Sequence, residues 1–276
     1  MKQSKVMPVG VDDFKKLREK YYFVDKTRFI TELIDGHSDV TLITRPRRFG
    51  KTLTMSMLYY FFTNENAEAN RVLFEGTAVA KAGEDYMKEQ GTRPVVFLSL
   101  KDVKTRTWEN CLGNMSQAVF TLYNRFNRIL TSSPRLSEPQ KRIYTEMLSG
   151  QASQSLLESS LRFLSECLEE HYGVKPVLLI DEYDAPVQAA WEYGYYDDAI
   201  VFFRNFFSSA FKTNPALDFA VLTGVLRIAK ESIFSALNNL KVSSVIDSTP
   251  YEGAMGFTQD EVTEIAQDLG CSDKLP

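Results

Sequence analysis

The stretch Thr44-Arg45-Pro46-Arg47-Arg48-Phe49-Gly50-Lys51-Thr52-Leu53-Thr54 (TRPRRFGKTLT) decides how the rest of the chain is read. It follows a short apolar run, residues 40–44 (VTLIT), and precedes an apolar run with helical character over residues 50–62. A strand, a basic glycine-containing loop and a helix, in that order, make a cradle for phosphate. Loop amides and the helix N-terminus point at the anion, and a lysine neutralises it. Gly50, Lys51 and Thr52 match the G-K-[ST] end of a Walker A loop in type and place. The first glycine of that pattern falls on Arg45, whose side chain restricts the backbone, while Pro46 beside it fixes one dihedral. Arg45, Pro46, Arg47, Arg48, Phe49, Gly50, Lys51, Thr52 and Leu53 are therefore the expected phosphate-binding set, with the Thr52 hydroxyl also on a metal ion.

Working outward, short apolar β-rich runs alternate with longer helical stretches, the pattern of a largely parallel sheet built from βαβ units. Strands are predicted at residues 40–44, 95–100 (VVFLSL), 177–181 (VLLID), 219–223 (FAVLT) and 242–247 (VSSVID). Their connections are too long for hairpins, so right-handed helical crossovers are expected. Helices are predicted over residues 50–62, 107–130, 137–148, 153–172 and 196–211. The segment 102–172 carries no strand signal and reads as a helical insertion. Gly173 and Pro176 mark the entry to the third strand, and Pro186 is expected to stop regular structure soon after it. Thr258, with Glu261 three residues on, forms a capping box for a last helix. The chain ends soon after that helix begins, which suggests a longer natural protein.

Two further strand ends carry candidate chemistry. Val177–Ile180 run into Asp181 and Glu182, the h-h-h-h-D-E pattern of a Walker B strand: the aspartate holds Mg²⁺ and the glutamate polarises the attacking water. Strand-end carboxylates are common, and the separation from G-K-T is what gives this pair weight. Thr223 ends the fourth strand, placed either to sense a γ-phosphate or simply to cap the strand. Arg227 follows, either as a phosphate sensor in cis or as one half of a surface ion pair. The catalytic candidates are thus Lys51, Glu182, Thr223 and Arg227, and the metal candidates Thr52 and Asp181.

Composition sets the bounds. Of 276 residues, 44% are hydrophobic and 25% charged, the ordinary mix of a soluble globular domain, and no apolar stretch has the length of a membrane span or signal peptide. A cytoplasmic location is the expectation. Cys111, Cys167 and Cys271 lie far apart and form no C-x-x-C, and His37 and His171 stand alone. Disulfide, redox and histidine–metal chemistry have little to build on. A net charge of −4 gives no general attraction to nucleic acid or anionic membrane. The local cluster Arg45, Arg47, Arg48 and Lys51 has phosphate as its evident counterion. No aromatic stripe extends it into a nucleic-acid surface.

Taken together, VGVDDFKKLREKYYFVDKTRFITELID, LITRPRRFGKTLTMSML, VLLIDEYDAPV, LTGVLRIAKESIFSALNNL and GFTQDEV resemble the AAA-ATPase-like family of bacterial P-loop proteins. The resemblance covers nearly the whole chain, and the family's R-P-R-R-F-G-K-T loop also carries arginine in the first glycine place. It implies an α/β, three-layer P-loop NTPase fold of STAND or AAA type. The five-stranded, mainly parallel sheet would have an additional strand between the Walker A and Walker B strands. Also implied are ATP and Mg²⁺ as ligands and, in many members, a C-terminal domain similar to PD-(D/E)-x-K nucleases. On this reading residues 1–255 form the ATPase domain and residues 256–276 begin a C-terminal helical element. The Y-x-V-D-K-T segment, Tyr22 to Thr27, matches the family and lies near the nucleotide by analogy, with no chemical role assigned to Asp25 or Lys26. The leading expectation is Mg²⁺-dependent ATP hydrolysis that drives a switch in an attached domain or protein partner; subunits that assemble into rings or dimers are compatible with it. A nucleotide-dependent binding module with negligible turnover, or a nucleic-acid-linked effector regulator, stands as the alternative. The D-E-x-D box of a helicase is disfavoured, because Leu222-Thr223-Gly224 is not an S-A-T motif and there is no second motor domain. The missing N-K-x-D motif favours ATP over GTP.

Overall fold

The computed structural model describes residues 6–212, 214–226, 228, 233–234, 240–245 and 251–272. The chain divides into two compact units. One comprises Met1–His37, Arg45–Thr92 and Val245–Pro276; the other comprises Ser38–Thr44 and Arg93–Ser244.

The second unit holds the sheet. Strands β1 (Val40–Thr44), β2 (Val95–Ser99), β3 (Val177–Asp181), β4 (Ala220–Gly224) and β5 (Leu240–Ser243) lie in the order β2-β3-β4-β1-β5, and every pairing is parallel. β4 therefore stands between β1 and β3. All residues of β1, β3 and β4 are buried, whereas the edge strands β2 and β5 keep partly exposed positions. Interior parallel strands are covered on both faces, which is why their sequences are mostly apolar and do not alternate, and why even Thr41 of β1 is buried. The fifth strand begins and ends earlier than residues 242–247. Its register is set by β1, with Val40 opposite Leu240 and Ile43 opposite Ser243, and residues 246 and 247 lie outside the described residues.

The insertion between β2 and β3 is helical, as its lack of strand signal predicts: α7 (Trp108–Thr131), α8 (Glu138–Leu148) and α9 (Gln154–Tyr172). Their starts are encoded locally. Thr107 and Ser153 accept from the amides of Asn110 and Leu156, and Ser137 with Gln140 forms a complete capping box. Gly173, at φ 74°, ends α9. Leu157, Leu161, Leu164 and Leu168 form the buried stripe of α9, and α9 packs on α11 (Tyr196–Phe211). There Phe202, Phe203, Phe206 and Phe207 are fully buried in one ring cluster.

Pro186 does not stop the chain. It sits in the first turn of α10 (Ala185–Tyr193), where a proline removes no hydrogen bond and its fixed φ suits the helix.

The first unit is built around α3 (Lys51–Phe62), whose buried face includes Met55, Leu58, Phe61 and Phe62. Before it come α1 (Phe14–Lys20) and α2 (Arg28–Gly36); after it come the short α4 (Ala67–Arg71), α5 (Ala78–Lys81) and α6 (Glu84–Met87), and finally α12 (Gln259–Asp268). Phe14 stacks on Phe74 at 5.2 Å, and Phe61 meets Phe74 edge-on at 5.1 Å. Asp25 has a structural task here. Its carboxylate accepts from the amide and hydroxyl of Thr27 and from the Ala78 amide that opens α5. Lys26 reaches α12 and donates to both oxygens of Glu261 at 2.6 Å, and Glu261 completes the capping box with Thr258.

Candidate functional site

β1 ends at Thr44, and the 45–50 loop follows without a break into α3. The left-handed turns of this loop fall on Arg48 (φ 68°) and Gly50 (φ 80°), not on Arg45. The conformational demand expected at the first glycine place is thus met three residues later. Arg45 is buried, and its guanidinium donates to the Tyr251 carbonyl at 3.3 Å. Pro46, Arg47, Arg48 and Phe49 are exposed. Gly50 is the N-cap of α3 and brings no side chain to it, so no side-chain oxygen caps the helix. Lys51, also buried, donates from Nζ to the carbonyls of Arg45 at 3.0 Å and Pro46 at 2.8 Å. That ammonium ties the end of the loop to its beginning, across the carbonyls that follow β1. The positive end of the helix dipole and a lysine are there together, which is what a phosphate group requires of its binder. The loop fits such a ligand. Thr52 and Leu53 follow in the first turn of α3, both partly exposed.

Within the sheet unit, parallel pairing brings the C-terminal ends of β1, β4 and β3 to one edge. Asp181 and Thr223 are both buried there, 1% and 0% exposed, and the Thr223 hydroxyl donates to Asp181 Oδ1. An aspartate at the end of a buried strand, held by a hydroxyl, is a rigid oxygen donor of the kind Mg²⁺ takes. Glu182, the next residue, has φ 54°, a left-handed conformation that costs a non-glycine residue roughly 1 kcal/mol or more and that gathers at functional sites. Its Oε2 accepts from Lys104 Nζ at 3.0 Å. Both side chains remain partly exposed, 32% and 44%.

The structure thus places the loop residues 45–53 together in one unit and joins Asp181 to Thr223 in the other. Arg227 lies outside the described residues. Sequence reading missed Lys104, one of two lysines in the loop after β2 and one that no spacing rule singles out. Tyr183 and Asp184 entered the sequence reading only within the VLLIDEYDAPV stretch and the disfavoured D-E-x-D box; both are buried in the run that supplies Asp181 and Glu182. No group of three or more His, Cys, Asp or Glu side chains suited to a metal occurs among the described residues. Nor is any helix among them long and apolar enough to cross a membrane.

A family model described as AAA-ATPase_like, "Predicted AAA-ATPase", matches residues 8–234. The chain belongs to this AAA-ATPase-like family. The match takes in the 44–54 loop, the β3 end with its two acids and Thr223. A protein of Azotobacter chroococcum mcd 1, described as "Uncharacterized protein in vnfD 5'region", is 29% identical over 272 residues. The alignment covers 95% of this AAA-ATPase-like chain but 45% of that protein, so the chain spans less than half the length of its relative. No solved structure matches the chain significantly.

Proposed function

We propose that the chain binds ATP through the 45–53 loop and hydrolyses it with Mg²⁺. The single observation that carries this reading is the loop itself: Gly50 at positive φ opens α3 with no side-chain cap, and Lys51 is fastened across the loop carbonyls. Membership of the AAA-ATPase-like family supports ATP as the nucleotide. The strand order supports the additional-strand class of P-loop ATPases, since β4 lies between β1 and β3.

The roles follow from chemistry. Lys51 and the loop amides bind the β- and γ-phosphates, with Arg47 and Arg48 adding positive charge at the exposed rim. The Thr52 hydroxyl and the Asp181 carboxylate are the residues that would hold Mg²⁺, which would neutralise charge on the phosphate oxygens. Thr223 keeps Asp181 oriented and reports on the γ-phosphate. Glu182 takes a proton from the attacking water once its carboxylate is released from Lys104. The resulting change is passed to an attached domain or protein partner. The Lys104–Glu182 pair favours a second reading, a nucleotide switch with slow turnover, because it occupies the carboxylate that would activate water.

Nucleotide binding tests the reading at its base. Titration with ATP and Mg²⁺ is expected to show saturable binding that Lys51→Ala weakens by about tenfold or more, the loss of a charge-assisted contact to phosphate. Equal affinity in Lys51→Ala and the native chain would contradict the role given to the loop.

A further inference from the structure

The D-E-Y-D run divides its labour. Asp181 and Glu182 carry the candidate chemistry, while Tyr183 and Asp184, 0% and 2% exposed, turn inward beneath them. Both meet the exit from β4, the strand that bears Thr223. The Tyr183 amide donates to the Thr223 carbonyl at 3.0 Å. The Tyr183 hydroxyl donates to the Leu226 carbonyl at 2.7 Å and accepts from the Ile228 amide at 3.2 Å. Asp184 Oδ2 accepts from the amides of Val225 at 2.9 Å and Leu226 at 2.6 Å. Between them Gly224 has no room for a side chain: a Cβ there would stand 2.6 Å from Asp184 Oδ1 and 2.6 Å from Tyr183 Cε1. Adding the Thr223 hydroxyl on Asp181 closes a ring of bonds from the end of β3 to the end of β4 and back.

We infer that Tyr183 and Asp184 are positioning residues: they lock the segment after β4 against β3 and so hold Thr223 in register with Asp181. Four of these bonds go to Val225, Leu226 and Ile228, in the irregular segment after β4 where no sheet partner would fix the backbone. A structural core would be served as well by an apolar pair with the same volume. Instead, a buried carboxylate is spent on two amides, and a buried phenol is both donor and acceptor. Burial raises the Asp184 carboxyl above its usual range; the Leu226 and Val225 amides pull it back and the nearby Glu182 charge pushes it further up. Reaching the metal-holding aspartate through Thr223 makes the clamp a control on geometry at the reacting end, where small misplacements have large effects on rate.

This inference rests on the ATPase reading, and its test separates the two. Tyr183→Phe keeps the ring and removes only the hydroxyl; Asp184→Asn keeps the shape. Each is compared with the native chain for ATP turnover across ATP and Mg²⁺ concentrations, for thermal unfolding, and for amide hydrogen exchange at Val225 and Leu226. The expected result is exchange faster by about tenfold, kcat lower by about tenfold, and KM for ATP within about twofold in both variants. Unchanged exchange would overturn the clamp, and so would turnover per folded molecule that stays native while only the unfolding temperature falls. If the native chain shows no turnover that depends on Lys51, the ATPase reading fails instead. Exchange, which needs no nucleotide, then still decides whether the clamp exists, and native-like exchange in both variants rejects it.

Discussion

At the scale of single residues, side chains next to the obvious motifs do much of the shaping. Gly224 is the sharpest case, because a methyl group there would overlap a carboxylate and an aromatic ring that are both buried. Gly224→Ala is expected to lower stability by about 1–3 kcal/mol, the usual cost of overpacking, as read from the denaturation midpoint. A variant as stable as the native chain would show that the clamp gives way freely. The sequence made Lys51, Thr52, Asp181, Glu182 and Thr223 legible because each sits at a fixed offset from a strand or helix end. It left Lys104 invisible, since its contact with Glu182 depends on how the 100–107 loop folds back toward β3 rather than on any spacing. The burden expected at Arg45 was read from a motif template. In the folded loop the positive φ belongs to Arg48, and Arg45 turns inward to the Tyr251 carbonyl.

Elements follow their local signals wherever a cap or an unbroken apolar run is written into the chain. The capping residues Ser137 and Ser153 mark α8 and α9 to the residue, and β1 and β3 coincide with their apolar runs. Where pairing with a neighbour sets the limits, the sequence is a poorer guide: β5 begins two residues and ends four residues before the expected 242–247, in register with β1. Pro186 reads as a breaker in isolation and proves to be a helix opener, because the chain starts α10 at that point. The end of α9 also carries a pH response. His171 Nδ1 lies 2.9 Å from Ser133 Oγ, its backbone carbonyl accepts from Arg135, and the Tyr172 ring stands edge-on at 4.6 Å. Burial, with the Arg135 charge beside it, lowers the imidazole below its usual 6.5. The unfolded chain therefore binds the proton first. Stability from this site is complete above pH 6.5 and is lost as pH falls from there through the lower folded value. Unfolding measured across pH 5 to 8 is expected to show this decline in the native chain and a flatter profile in His171→Gln. Identical profiles would remove the histidine from the account.

For the molecule as a whole, the sheet unit was largely legible, because buried parallel strands announce themselves as apolar runs with long helical crossovers. The unit built on α3 was not. α1, α2 and the three short helices after α3 depend on contacts such as Phe14 with Phe74 and Asp25 with Ala78, which join residues about 50 or more positions apart in the chain. Lys26, without a role in the sequence, fastens α12 through Glu261, beside the Tyr22 hydroxyl that donates to Asp268. The family match points to a nucleotide; ATP binding by the loop around Lys51, and turnover that needs Glu182 at the end of β3, are what we propose. The most direct test is Mg²⁺-dependent phosphate release from ATP by the native chain beside Lys51→Ala and Glu182→Gln. The account predicts release in the native chain, its loss by about a hundredfold in both variants, and ATP binding retained in Glu182→Gln. Native release in Glu182→Gln, or release untouched in Lys51→Ala, would contradict it.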